Sequence, residues 1–237
     1  MTGILDGFSE AFGLLISLDA DLVEILLLSL RVSLTAVFFS ALIGLPLGAL
    51  LAVAKFPGRQ AMVILINAFM GLPPVVVGLF VYLLLSRSGP FGVLGLLFTP
   101  TAMIIAQTIL ITPIVASLTR QSISDLWLTY RDLLHSFDAN PVQIMRTLLW
   151  EGRVSLLTGI LAGFGRAIAE VGAVMIVGGN IDHATRVLTT AIALETSKGD
   201  LGLALGLGIV LVTIAVLINI LTLSVGQFVG GQSLATR

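Results

Sequence analysis

Two charged residues stand alone inside an apolar run: Arg166 and Glu170, four positions apart between Val154 and Val177. On a helix that spacing places them on one face as an ion pair. Deep in a membrane span such a pair must face protein or a wet cavity. Two chemistries fit it: a neutralised structural lock between helices, or a pore or gate element that handles an anion. Catalytic chemistry has little to work with elsewhere. No Gly-rich loop carries a Walker lysine, no HExxH is present, and no Ser, His and Asp set converges. Gly163-Phe164-Gly165 lacks the third glycine and the preceding strand of a dinucleotide fingerprint. Zero cysteines exclude disulfides, thiolate zinc sites and Fe–S clusters. His135 and His183 both lie outside the apolar runs, so paired axial haem ligands inside a bilayer are missing too. The sequence therefore offers no catalytic centre and no metal site, and uphill movement of a solute would draw on an ion gradient or a separate ATPase.

The longest polar stretch, Thr119 to Arg153, carries a second constellation. Ser122 to Phe137 reads as a helix, Asp138-Ala139-Asn140-Pro141 as a turn, and Pro141 opens a second short helix bearing Val142, Ile144, Met145, Leu148 and Leu149. Asn140 suits the N-cap of that helix. Two short helices at an angle could simply join two spans. They could equally form a knob that docks in a groove of a cytoplasmic partner, with Phe137, Val142 and Met145 as apolar anchors.

The elements that must hold these residues follow from composition. The chain has 237 residues, 57% hydrophobic and 11% charged, with a mean hydropathy of +1.10. A soluble domain carries about a quarter charged residues, so this is an all-α, polytopic membrane protein with about five transmembrane helices. The spans run from about Leu22 to Ala54, Ala61 to Ser86, Pro100 to Leu118, Val154 to Val177 and about Leu201 to Phe228, with a loop over Gly178 to Asp200. The first contains Pro46 and is longer than a bilayer core; the second is broken at Gly71-Leu72-Pro73-Pro74, a break expected to be buried in protein or to line a cavity. Small residues four apart, Gly44 with Gly48 and Gly202 with Gly206, and the crowding of Gly163, Gly165 and Gly172 predict close helix packing.

Seven of the 12 cations, Lys55, Arg59, Arg120, Arg131, Arg146, Arg153 and Arg237, fall on one side of that topology, and only Arg87, Arg186 and Lys198 on the other. The positive-inside rule then puts the N-terminus outside, and the C-terminus and the polar stretch 119–153 in the cytoplasm. Residues 1–20 hold no Lys or Arg, unlike a cleavable signal, and Ile4, Phe8, Phe12, Leu15 and Ile16 predict an N-terminal amphipathic helix at the membrane surface. A net charge of -1 leaves too little cationic surface for nucleic acid.

With these motifs in view, the chain resembles the permease subunits of binding-protein-dependent ABC importers. Asp132-Leu133-Leu134-His135-Ser136-Phe137-Asp138-Ala139-Asn140-Pro141 sits where those permeases carry a Glu-Ala-Ala loop with a Gly three residues on; here Asp132 replaces the Glu, leucines the alanines, and Asp138 the Gly. Gly165-Arg166-Ala167-Ile168-Ala169-Glu170-Val171-Gly172-Ala173 is similar to a stretch of sulfate and molybdate permeases. The continuation from Met175 to Ile181 and from Thr185 to Asp200 resembles the tungstate branch, as do Gly44-Leu45-Pro46-Leu47-Gly48 and Gly71 to Gly78 the opening spans. The resemblance covers nearly the whole chain and implies one permease domain, 1–237, with the type I ABC importer permease fold, working as a homodimer in the inner membrane of a prokaryote. Implied partners are a second copy, a cytoplasmic ABC ATPase dimer where ATP and Mg act, an extracytoplasmic oxyanion-binding protein and membrane lipid; the chain itself would bind no cofactor. Arg131, Asp132, Phe137, Asp138, Asn140, Pro141, Val142 and Met145 would couple to the ATPase. Arg166, Glu170, Asn180, Arg186, Thr189 and Thr190 would line the path or gate of a doubly charged anion, held weakly enough to be released. Other readings at this level are molybdate or another oxyanion, a gradient-driven secondary transporter, for which no inverted repeat is found, and a structural membrane subunit.

Overall fold

The computed structural model describes residues 20–234, and these form helices joined by short turns, with no strand among them. In chain order they are α1 (Ala20–Val53), α2 (Arg59–Phe69), α3 (Pro74–Leu85), a 3-10 turn at Gly92–Leu94, α4 (Pro100–Ser136), α5 (Pro141–Glu151), α6 (Arg153–Ile168), α7 (Gly172–Gly178), α8 (Leu188–Lys198) and α9 (Leu201–Leu234). Three of them, α1, α4 and α9, are long and apolar enough to cross a membrane alone. The pairs α2–α3 and α6–α7 each make up a span only if taken as one bent element, at 103° and 57°, which brings the total to five. The expected interfacial helix at 1–20 falls almost wholly outside the described residues.

Two boundaries and one span differ from those predicted: the run from Val154 to Val177, expected as one span, is broken at Ala169 to Val171. The polar stretch 119–153 does not begin as a loop, because α4 runs unbroken through Thr119 to Ser136. Its 37 residues extend roughly 55 Å at 1.5 Å per residue, well past a hydrocarbon core of about 30 Å. Polar side chains at Arg120, Gln121 and Ser122 change the solvent a helix meets, not its hydrogen bonding. Likewise the loop 178–200 contains a helix, α8.

The chain forms two compact units. One is built from 20–36, 73–107 and 165–219, the other from 37–72, 108–164 and the segment from 220 on. In the first, α3 packs on α7 so closely that a Cβ on Gly78 would lie 2.8 Å from Ala173 Cα and one on Gly172 2.9 Å from Val75 Cγ2. Polar bonds cross between helices there: Leu188 N–H donates to Ser29 Oγ at 2.8 Å, and Gln107 Nε2 to the Ala167 carbonyl at 3.1 Å. In the second unit the Gly44 and Gly48 pair lets α1 lie against Val115, Ala116 and Thr119 of α4, and Gly163 of α6 faces Ile111 and Val115. Ser40 Oγ donates to the Thr108 carbonyl at 3.2 Å, and Ser117 Oγ to Asn67 Oδ1 at 2.7 Å. Gly44, Gly48, Gly163 and Gly172 thus mark close packing as the sequence predicts, whereas nothing lies within 4 Å of a Cβ at Gly165.

The α2–α3 break departs from expectation. Gly71 and Pro73 are exposed within the single chain, not buried. Its backbone nevertheless leaves few donors unmet. Prolines 73 and 74 have no N–H, while Gly71 N–H donates to the Ala68 carbonyl at 3.1 Å and Leu72 N–H to that of Phe69 at 3.2 Å.

Adding a methyl group at Gly48 would drive it into the Ala116 carbonyl and to 2.6 Å from Thr119 Cβ, whereas nothing lies within 4 Å of a Cβ at Gly208. We expect Gly48→Ala to destabilise the chain by about 1–3 kcal/mol through overpacking, and Gly208→Ala to be neutral or stabilising by up to about 1 kcal/mol. Thermal unfolding of the detergent-solubilised protein, followed by fluorescence-detected size exclusion, measures both; equal melting points for the two variants would contradict the packing.

Candidate functional site

The first candidate region is the break between α6 and α7. Three residues, Ala169 to Val171, interrupt the helix, and the polar groups of Glu170 among them each find a partner. Glu170 N–H bonds the Ala167 carbonyl at 3.2 Å, and that carbonyl also receives Gln107 Nε2. Glu170 Oε1 accepts from Ala173 N–H at 3.0 Å in the first turn of α7. The Glu170 carbonyl accepts from Thr189 Oγ1 at 2.8 Å. Arg166 Nη1 then donates to Glu170 Oε2 at 2.6 Å, closing the i, i+4 pair that the sequence predicts. Exposure is unequal across it: the Glu170 side chain is 3% exposed and the Arg166 side chain 34%. The carboxylate is therefore a buried fixture of the break, and the guanidinium is the half that meets open space.

The remaining sequence-predicted residues lie in or beside the turn that follows α7. Gly179 and Asn180 both take left-handed backbone, φ 74° and 50°, which glycine and asparagine tolerate best. Asn180 Oδ1 and Arg186 Nε are buried without a hydrogen-bond partner, while Arg186 Nη1 donates to Asp182 Oδ1 at 2.6 Å. Thr189 reaches the break, as described. Thr190 does not: its hydroxyl donates to the Val187 carbonyl and accepts from Val187 N–H, both at 3.0 Å, and so fixes the first turn of α8. Sequence reasoning missed Gln107, Ser29 and Thr185, which do much of the holding. Thr185 Oγ1 donates to the Gly178 carbonyl at 2.6 Å and accepts from Ile181 N–H at 2.9 Å. A polar residue in an apolar run was the only signal available for Gln107.

One exposed group could hold a metal ion among the described residues. Ligand atoms of Asp21, Glu24 and His183 lie within 4.8 Å of one another, a grouping the sequence reading did not foresee because 159 positions separate Glu24 from His183. His183 Nδ1 contacts Glu24 Oε2 at 2.9 Å. That hydrogen bond, then the charges of Asp182 and Glu24 and, more weakly, Asp21, raise the His183 pKa above 6.5.

The second region is the turn from α4 to α5. Asp138 N–H bonds the His135 carbonyl and Ala139 N–H the Leu134 carbonyl, both at 3.1 Å, and Asp138 has φ 49°. This is a Schellman closure, with Asp138 at the left-handed position that favours glycine. Asn140 then caps α5 as predicted, in a full capping box: Gln143 N–H to Asn140 Oδ1 and Asn140 N–H to Gln143 Oε1, each 2.9 Å. Ile144 and Leu148 are buried, in a cluster with Ala49, Ala52, Ile123 and Leu156. The opposite face is bare, with Val142 74% exposed and Trp150 70%, and Phe137 in the turn before α5 is 75% exposed. Met145 packs partly against the buried cluster and also lines an apolar cavity of about 780 Å³ with Pro46, Val142, Arg146, Leu149 and Trp150. Trp150 is the exposed aromatic the sequence reading did not name, and it lines the same cavity as Val142. Arg131 and Asp132 pair with each other at 3.1 Å on the surface.

Comparison with known proteins places this geometry. Residues 44–230 match the family described as binding-protein-dependent transport system inner membrane component. The tungstate uptake system permease protein TupB of Peptoclostridium acidaminophilum is 40% identical over 219 residues, 92% of this chain and 96% of that one. A probable anion ABC transporter permease protein of Haloferax volcanii is 42% identical over 84% of this chain and 88% of its own. Among solved structures, a chain of the MetNI methionine ABC transporter in inward facing conformations aligns with a TM-score of 0.71 at 20% identity, over 85% of this chain and 93% of that chain.

Two outcomes follow from the geometry. Arg166→Ala strips the buried Glu170 of its charge partner and should lower stability by about 3 kcal/mol, against no measurable change for Arg87→Ala at an exposed position; equal, mild shifts in melting point would count against a buried pair. His183 has a raised pKa in the folded chain, so its contact with Glu24 stabilises fully below pH about 6.5 and fades as pH climbs through the folded value. The melting-point gap between the natural chain and His183→Ala should therefore be largest at acid pH and shrink as pH rises through the raised folded pKa.

Proposed function

This chain belongs to the family of binding-protein-dependent transport system inner membrane components, and from that premise we propose that it is the permease subunit of an ATP-driven importer of tungstate. The observation that carries the substrate is the 40% identity to a tungstate uptake permease over nearly the full length of both chains. The anion transporter from Haloferax supports the wider oxyanion class, within which molybdate is the competing cargo.

In this reading two copies of the chain pair, and the second copy covers the exposed bend at Gly71 and Pro73. A cytoplasmic ATPase dimer receives α5 through Phe137, Val142 and Trp150, with Asn140 and Pro141 fixing the angle at which the helix leaves the turn and Arg131, Asp132, Asp138 and Met145 framing it. ATP and Mg act in that partner, and this chain binds neither. An extracytoplasmic binding protein delivers the oxyanion and sets most of the selectivity, on the side where positive-inside counting leaves the N-terminus. Arg166, Asn180 and Arg186 supply donors along the path, positioned by Glu170, Thr189 and Thr190. Because Glu170 matches the charge of Arg166, the anion meets a donor of tempered strength, which suits passage over tight binding. Closure of the ATPase pair moves α5, and the path alternates between outward and inward access.

Purification of the tagged chain with its partners, followed by reconstitution with the binding protein, tests this reading. ATP should drive tungstate uptake, and Val142→Asp should cut both ATPase recovery and uptake at least tenfold, while Val93→Asp, at a fully exposed position elsewhere, should leave ATPase recovery unchanged. A chain purified free of any ATPase, or uptake that follows an ion gradient, would overturn it.

A further inference from the structure

Beside the α6–α7 break lies a polar cavity that the transport reading leaves unused. It measures about 10 Å³ and is lined by Ser29, Ser33, Gln107, Glu170 and Thr189 among apolar neighbours. Gln107 is 3% exposed, and its Oε1 is buried with no hydrogen-bond partner among the described residues. Leaving such an acceptor desolvated and unmet is costly.

Of the three hydroxyls that line the cavity, those of Ser29 and Thr189 cannot meet it, and Ser33 Oγ makes no hydrogen bond to it among the described residues. Ser29 uses its only hydroxyl hydrogen on the Ile25 carbonyl at 2.7 Å, and Thr189 uses its own on the Glu170 carbonyl at 2.8 Å. Glu170 brings acceptors only, already receiving Arg166 and Ala173. The missing partner must therefore bring hydrogens, fit a space of about one probe sphere, and find two to four polar neighbours, which is the description of one water molecule. A bare monovalent cation has the right size but the wrong charge: Arg166 already balances Glu170 at 2.6 Å, so a cation here would be uncompensated in a low dielectric.

We propose that this cavity binds a single water molecule, which donates to Gln107 Oε1 and accepts from Ser33, and that through it Gln107 and Ser33 are positioning residues for the Arg166–Glu170 pair. The water can exchange partners faster than side chains repack, so the break can flex without baring the Glu170 carboxylate. The site stands without the transport reading; only its effect on uptake rests on that reading.

The test is a high-resolution structure of the whole complex in lipid nanodiscs, determined in sodium and again in choline buffer. One solvent peak about 3 Å from Gln107 Oε1, present in both buffers, is expected; it should be lost in Gln107→Met and weakened or lost in Ser33→Ala, which leaves the Gln107 bond to Ala167 in place. Uptake per assembled complex should fall about threefold in Ser33→Ala. An empty cavity in the natural chain, a peak seen only with sodium at shorter oxygen distances, or a Ser33→Ala complex with unchanged peak and rate would overturn the proposal. The density reads the site whatever solute the complex carries, so failure of the tungstate assignment and failure of the water site give different results.

Discussion

A backbone group freed inside a membrane must find a partner in the protein, and this requirement governs how the chain is built around Glu170. Breaking a span at Ala169 to Val171 releases amides and carbonyls that lipid cannot solvate. Glu170 answers twice, through its own N–H and through a carboxylate that caps the first turn of α7, and its carbonyl is met from α8 by Thr189. Gln107 reaches the same place from α4. Once a carboxylate is used this way it needs a cation, and Arg166 one turn earlier is the nearest that a helix can supply. The charge pair follows from the break, and the helices around it follow from the pair.

The chain solves the same problem differently at its other break. Between α2 and α3 two consecutive prolines remove the donors that would need satisfying, and the two amides left fold back on the preceding turn. No side chain is recruited and no charge is introduced. That arrangement leaves an apolar, exposed bend of 103° which a second apolar surface can cover without matching any polar group. The α6–α7 break instead holds its polar partners within one unit of the chain. One break is suited to being covered from outside, the other to being held from within.

These contrasts explain what could be read from the residues alone. The five apolar runs, the α2–α3 break, the Arg166–Glu170 pair and the Asn140 cap are local patterns, each contained in a few turns of sequence, and all appear where spacing put them, whereas the α6–α7 break falls inside a run that reads as one continuous span. The Asp138 turn was legible as a departure from glycine but not as a Schellman closure, because asparagine and aspartate tolerate the same backbone without announcing it. Continuity of α4 was hidden by polar residues that change a helix's surroundings and not its geometry. Gln107 and Thr185 were invisible for a different reason: their partners lie 60 and seven positions away, and only folding chooses them. Thr190 illustrates the reverse error, a hydroxyl read as available that the backbone had already engaged.

If the proposed path runs past Arg166 and Glu170, their unequal burial constrains what it can do. A lone arginine in a low dielectric would hold a doubly charged oxyanion strongly, and release would then limit every cycle. A fully buried pair would not touch the solute at all. With the carboxylate 3% exposed and the guanidinium 34%, the cation keeps donors free while its charge is largely cancelled at 2.6 Å. What remains is a directional hydrogen-bond donor with a weak field, matched to a solute that must be recognised and then let go. On this argument removing Glu170 would do more than unbalance the fold: it would turn a transient contact into a trap, so affinity for the anion and the rate of its passage would move in opposite directions.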